Sequence, residues 1–115
     1  MSFPTTVARL ASAAGSNNAT LVTRQRAKLW RVTGHNAAAA VRYLKLFNQA
    51  TDPVPGTDTP FLTIALAASS AFNIGFDGLI FQSGLGYCLV TGAADSDNTA
   101  VTAADIVGLN LVFEK

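Results

Sequence analysis

The sequence has little of what catalysis requires. It contains one cysteine, Cys88, and one histidine, His35, in 115 residues. A single cysteine cannot form an internal disulfide, and the apolar run at 86–90 predicts a buried structural thiol in a strand. A cysteine nucleophile needs a histidine base beside it, and His35 lies far away along the chain, in a turn-like segment at 33–36. We therefore predict that the protein is not an enzyme.

Ligand-binding motifs are also lacking. Asp95 and Asp97 are spaced like the first ligands of a calcium loop, but Ala100 stands where that loop requires glycine and Ile106 where it requires glutamate. The Gly-Leu-Gly at 84–86 is not followed by the lysine of a phosphate-binding loop. We expect a solvated turn at 91–99 and no metal or cofactor.

Long hydrophobic runs are absent as well. No stretch approaches the roughly 20 apolar residues that cross a bilayer, and residues 1–6 lack the basic and apolar parts of a secretory signal. We expect no membrane partner and synthesis in a cytoplasm.

What the chain does have is enough apolar sequence for one core. Half of its residues are hydrophobic, and its length is within the range of a single domain. From Leu21 onward, short β-branched or aromatic runs alternate with Gly, Pro, Asn and Asp clusters, which favours an all-β fold, an antiparallel β-sandwich or jelly roll. The candidate strands are 21–23, 27–33, 41–47, 61–66, 71–76, 79–82, 87–91 and 107–113.

Alternation within these runs predicts which side chains face the core. Residues 62, 64 and 66, and likewise 72, 74 and 76, are large and apolar, and so are 107, 109, 111 and 113. Asp77-Gly78 suits a tight hairpin between two of the strands. The long loops at 48–60 and 92–105 are expected to contact partners.

The first twenty residues differ in character from the rest. They are rich in Ala, Ser, Thr and Asn, and their large apolar side chains are few, namely Phe3, Val7 and Leu10. We expect residues 1–20 to form an extended N-terminal arm that becomes ordered on a partner, and residues 21–115 to form the sandwich domain. Phe3, Val7 and Leu10 are the predicted anchoring contacts.

Charge is scarce but segregated along the chain. Seven of the eight basic residues precede residue 46, and all seven acidic residues follow it. Opposite patches attract, so this arrangement favours contact between identical subunits and predicts a homo-oligomer.

Three basic residues, Arg24, Arg26 and Lys28, occupy every second position before Trp30. This pattern fits a nucleic-acid stripe, an edge strand protected by charge, or a basic strip that contacts a protein. With a net charge of only +1, the chain lacks the excess expected of a nucleic-acid binder, and we expect no nucleic-acid partner. Arg24, Arg26 and Lys28 are the further predicted partner contacts.

Taken in order, several segments resemble small β-sandwich structural proteins of tailed-bacteriophage virions. These are LWRVTGHN at 29–36, VRYLKLFN at 41–48, GTDTP at 56–60, GLIF at 78–81, TGAADSD at 91–97 and LNL at 109–111. The resemblance implies a capsid decoration or cement protein that binds the major capsid protein or another virion subunit, often as a homotrimer. The alternative is a tail, fibre or baseplate module that binds a receptor or carbohydrate.

Overall fold

A computed structural model describes residues 5–115 and shows a β-sandwich over that range. Its eight strands are β1 (Thr6–Ser12), β2 (Thr20–Thr23), β3 (Ala27–Asn36), β4 (Arg42–Phe47), β5 (Leu62–Leu66), β6 (Ser70–Phe81), β7 (Leu85–Val90) and β8 (Ile106–Glu114). They form two four-stranded antiparallel sheets, sheet A in the order β1-β8-β3-β6 and sheet B in the order β2-β7-β4-β5. The predicted fold class, an all-β antiparallel sandwich, is confirmed. No helix capable of crossing a membrane occurs among the described residues.

The core lies between the sheets and is built by alternation. In β4 and β7 every second side chain faces inward, because successive residues of a strand point to opposite faces. The fully buried inward residues of these two strands are Leu44, Leu46, Leu85 and Leu89. The inward sets predicted at 62, 64 and 66 and at 72, 74 and 76 also contact this core.

The predicted hairpin at Asp77-Gly78 is wrong. The runs at 71–76 and 79–82 belong largely to one strand, β6, which continues through Gly78 at φ 74°. The β3–β6 register shifts between Leu29 and Arg31, so this glycine supports a bulge rather than a reversal. A glycine with positive φ suits either structure, and pairing with the ten-residue β3 on both sides of Gly78 selects the bulge.

A second bulge changes which residues at the start of β8 face the core. Gly108 has φ 63°, and the β3–β8 register shifts between Thr33 and His35. Ile106 is therefore the buried residue, whereas Val107, which we expected to face inward, is only half-buried and lies outside the core cluster. Simple alternation fails here because a bulge inserts an extra residue into the period of two.

The start of the chain is part of the sandwich wherever the structure describes it. β1 pairs antiparallel with β8 and forms one edge of sheet A. Ala13 is buried, and its N–H donates to the Ile106 carbonyl at 2.8 Å. This differs from the arm expected over residues 1–20. The reason is that β8 presents a row of main-chain groups with which even a lightly apolar segment can pair.

The three predicted anchoring residues are separated by this pairing. Leu10 is half-buried and packs against the core beside Ala8, so its contacts are within the chain. Val7 points the other way and is 54% exposed. Phe3 lies outside the described residues.

Candidate functional site

The outer faces of the two sheets differ in how they are covered. On sheet B, the outward side chains of Phe47, Cys88 and Val90 are buried. Pro53, in the 48–61 loop, lies over Gly86, where an added Cβ would meet the Pro53 Cγ at 2.6 Å. The long loops that we expected to contact partners therefore pack against the outer face of their own sheet, sheet B.

Lys45 holds the second of these loops in place. Its side chain is fully buried on the outer face of β4, and its Nζ donates to the main-chain carbonyls of Ala94 and, at 3.0 Å, of Asp97. Residues 91–99, whose aspartate spacing is like that of a calcium loop, therefore already use two of their carbonyls to bind the chain's own ammonium group. Asp97 has a further structural task, because its carboxylate accepts from the Thr99 N–H at 2.9 Å.

Cys88 pairs with Lys45 across β4 and β7 and is fully buried, as predicted. Burial raises the pKa of its thiol to about 11, with the Asp97 charge adding to the increase and Lys45 opposing it. The group is therefore a neutral thiol at physiological pH and not a thiolate nucleophile. His35, the one candidate base, is exposed on β3 in the other sheet.

Sheet A, in contrast, presents its outer face. We call this surface the open face. Its outward residues, which alternate with the core-facing ones, are exposed or half-buried. They include Val7, Arg9, Lys28, Trp30, Arg31, Thr33, His35, Asn73, Gly75, Asp77, Asn110, Val112 and Glu114.

One end of the open face is built around Trp30. The ring is 37% exposed, and its Nε1 donates to Glu114 Oε1 at 3.2 Å. Lys28 Nζ lies 5.6 Å from the Trp30 ring centroid and 4.0 Å from Glu114 Oε1. In the β3–β8 pairing the register also shifts between Leu29 and Arg31, and the extra residue is on β3. Trp30 and Arg31 therefore lie together between the inward residues Leu29 and Val32, with an aromatic ring and a guanidinium side by side on this face.

The three predicted basic contacts do not form one strand stripe. Arg24 and Arg26 lie in the connection between β2 and β3, and only Lys28 is within a strand. Arg24 Nη1 donates to the Ala50 carbonyl at 2.9 Å, whereas Arg26 borders a shallow pocket with Lys28, Glu114 and Lys115. β3 pairs on both sides, so interpreting this run as a protected edge strand is wrong.

Sequence reasoning missed the role of Lys45. It is outward-facing in the alternation of β4, yet its neighbours on that face, Tyr43 and Phe47, are aromatic. Two aromatic residues at i−2 and i+2 were a signal that this face is covered, and a lysine on a covered face must find acceptors.

Comparisons with known proteins give no family. No family model matches the chain, and no match was found among curated proteins. Two solved structures of Tobacco streak virus coat protein show some likeness. One, in a C2 crystal form, has a TM-score of 0.46 and 10% identity over 96% of this chain and 86% of that chain. The other, a coat protein dimer, has a TM-score of 0.44 and 13% identity over 96% and 85%. At these values the likeness carries no argument about function.

Proposed function

We propose that this chain is a structural protein of a virus particle, a decoration or cement protein that binds the assembled capsid through the open face. The observation that carries the proposal is the contrast between the sheets. Sheet B is closed by its own loops and a buried lysine, whereas sheet A offers four strands of uncovered side chains. A broad, nearly continuous strand surface suits a flat partner such as a capsid subunit, and the site holds no group poised for chemistry.

Charge indicates what kind of partner surface fits. Arg9, Lys28 and Arg31 lie on the open face together with two acids, Asp77 and Glu114, and Glu114 is already engaged by Lys28 and Trp30. Four of the seven acids lie in the loops over sheet B, at positions 52, 58, 95 and 97. The open face is thus the more basic side, and a partner surface with carboxylates around an apolar centre complements it. Among the contacts expected from sequence, Val7, Arg26 and Lys28 remain in this proposal.

The chain offers a matched pair of variants for the test. Val7, on the open face, is 54% exposed, and Val54, in the loop over sheet B, is 52% exposed. Co-sedimentation with particles that lack the protein would compare Val7→Glu with Val54→Glu. Burying an unpaired carboxylate is costly, so we expect Val7→Glu to weaken binding at least about tenfold and Val54→Glu to leave it unchanged. Equal binding by both variants would refute the assignment of the open face.

A second candidate function is a tail, fibre or baseplate module that binds a receptor or carbohydrate. Phe61, at the end of the 48–61 loop, is 48% exposed and packs edge-on against Phe81 with the ring centroids 5.1 Å apart. With Val54, it gives this loop an exposed apolar surface of the kind that sugar rings contact. Immunogold labelling of intact particles separates the two functions, because gold over the head supports decoration and gold confined to the tail tip supports the second candidate.

A further inference from the structure

β6 is an unprotected edge of sheet A. It is the longest strand, with 12 residues, and it pairs on one side only, with β3. It contains no proline or lysine, and Asp77 is its one charged residue. Natural proteins usually shield such an edge with charge, proline, a bulge or a short strand, because its free N–H and C=O groups are a template for another strand. The bulge of β6 comes only at Gly78, and residues 70–77 before it keep a regular alternation of exposed and half-buried side chains. The opposite edge of the sheet, β1, is shorter and carries Arg9.

The edge is apolar on its core side as well. Phe72, Ile74 and Phe76 face the core but are only half-buried, although they pack against the main cluster. Since β6 ends the sheet, no further strand covers their outer sides. A strand added beside β6 would pair its main chain and shield these three side chains together.

Two charges beside this edge lack a partner of opposite sign. The Arg31 guanidinium reaches across β6, 3.4–3.7 Å from where a Gly75 Cβ would lie, and its Nη1 donates to Asn73 Oδ1 at 2.5 Å. Asp77 is exposed on the same face, two residues beyond Gly75. Within residues 5–115 neither Arg31 nor Asp77 forms an ion pair.

We propose that two copies of this chain pair β6 with β6 antiparallel, about a two-fold axis at Gly75. In that register Asn73 of one copy is opposite Asp77 of the other, because residues equidistant from the axis are paired. The carboxylate of Asp77 then lies next to the Arg31 guanidinium bound to that Asn73, and the symmetry makes this ion pair twice. Glycine at the axis leaves the guanidinium room above the strand.

The contact has a functional consequence. It joins two copies of sheet A into one eight-stranded sheet, so the two open faces become continuous and can bind a particle bivalently. A two-fold contact closes with two copies, and it therefore predicts a dimer rather than a trimer. This inference assigns a specific contact to the homo-oligomer predicted from the charge distribution along the chain. It goes beyond the proposed function, because it does not depend on which particle is bound.

Charge reversal tests the register. In a dimer of Arg31→Glu, one carboxylate faces the Asp77 carboxylate of the other copy at each of the two symmetric sites. In a dimer of Asp77→Arg, one guanidinium faces Arg31 of the other copy at each site. We expect either variant alone to dimerise at least about tenfold more weakly than wild type in analytical ultracentrifugation. Mixed in equal amounts, the two variants should form a heterodimer of near wild-type affinity. One ion pair then joins the native Arg31 of one copy to the native Asp77 of the other, and the second pair joins the two substituted residues with the signs reversed. Arg9→Glu, at the opposite edge of the same sheet, is the matched control and should dimerise normally.

Each outcome decides the matter. A mixture that dimerises no better than its components, or an Arg9→Glu variant as weak as Arg31→Glu, overturns the β6 contact. So does a wild-type protein that keeps the 11.9 kDa monomer mass at every concentration. Particle binding is scored separately by co-sedimentation. A wild-type protein that binds particles but does not dimerise refutes this inference alone, whereas a wild-type dimer that does not bind particles refutes the proposed function alone.

Discussion

Replacing Lys45 with methionine tests whether a buried ammonium group holds the 91–99 loop on sheet B. Methionine matches the length and apolar stem of lysine but removes both hydrogen bonds, to Ala94 and Asp97. Hydrogen bonds from a charged donor are worth about 1.5–3 kcal/mol each, or about 3–6 kcal/mol for two. Methionine avoids the desolvation of the ammonium, and the freed carbonyls can turn toward water, which together offset part of this loss. We expect the free energy of unfolding to fall by about 2–4 kcal/mol.

Lys28→Met is the matched control. Lys28 is one-third exposed, and its contact with Glu114 spans 4.0 Å, so losing this surface pair should cost no more than about 1 kcal/mol. Urea unfolding gives both free energies. Hydrogen exchange over 91–99 and thiol labelling of Cys88 report whether the loop has opened, and both should accelerate in Lys45→Met only. If Lys45→Met loses no more stability than Lys28→Met, and Cys88 stays equally protected, the ammonium does not hold the loop.

Three further predictions concern the glycines, the thiol and the first strand. Gly84→Ala should destabilise the protein by more than about 2 kcal/mol, because the new Cβ would lie 2.3 Å from the main-chain oxygen of Gln49. In Gly15→Ala the nearest heavy atom would be 3.8 Å away, so thermal melting should change little or rise. Because the folded pKa of Cys88 is about 11 and its ordinary value is 9.0, the unfolded thiol ionises first as pH rises. Stability should therefore fall between about pH 9 and 11 in wild type, and less so in Cys88→Ala. Deletion of residues 2–12 removes β1 and should lower the melting temperature or abolish cooperative unfolding.

Each of these has a contrary result that would refute it. Equal melting of the two alanine variants would mean that the backbone at Gly84 shifts freely. Parallel alkaline curves for wild type and Cys88→Ala would mean that the thiol titrates normally. A truncated chain with unchanged cooperative melting would show that β1 is an arm after all and that the sandwich begins near residue 13.

Much of the fold could be predicted because it depends on local pattern. Alternation of large apolar with small or polar residues, as at Leu62, Ile64 and Leu66, has the period of a strand, and no tertiary information is needed to see it. The buried Cys88 follows from its apolar neighbours in the same way. The expectation that no residue acts as a nucleophile also rests on composition, since one cysteine and one histidine leave few combinations.

The sequence by itself determined the class of the protein, an antiparallel sandwich with a single core. Apolar residues at every second position bury one face of each strand, and this spacing is visible along the chain. Only the tertiary structure decided what lies outside that core. It paired residues 6–12 with the free edge of β8, covered one sheet with two loops held by Pro53 and Lys45, and left β6 unshielded. These outcomes depend on which main-chain groups remain unpaired once the strands have assembled. That is a property of three-dimensional neighbours, and no period along the chain encodes it.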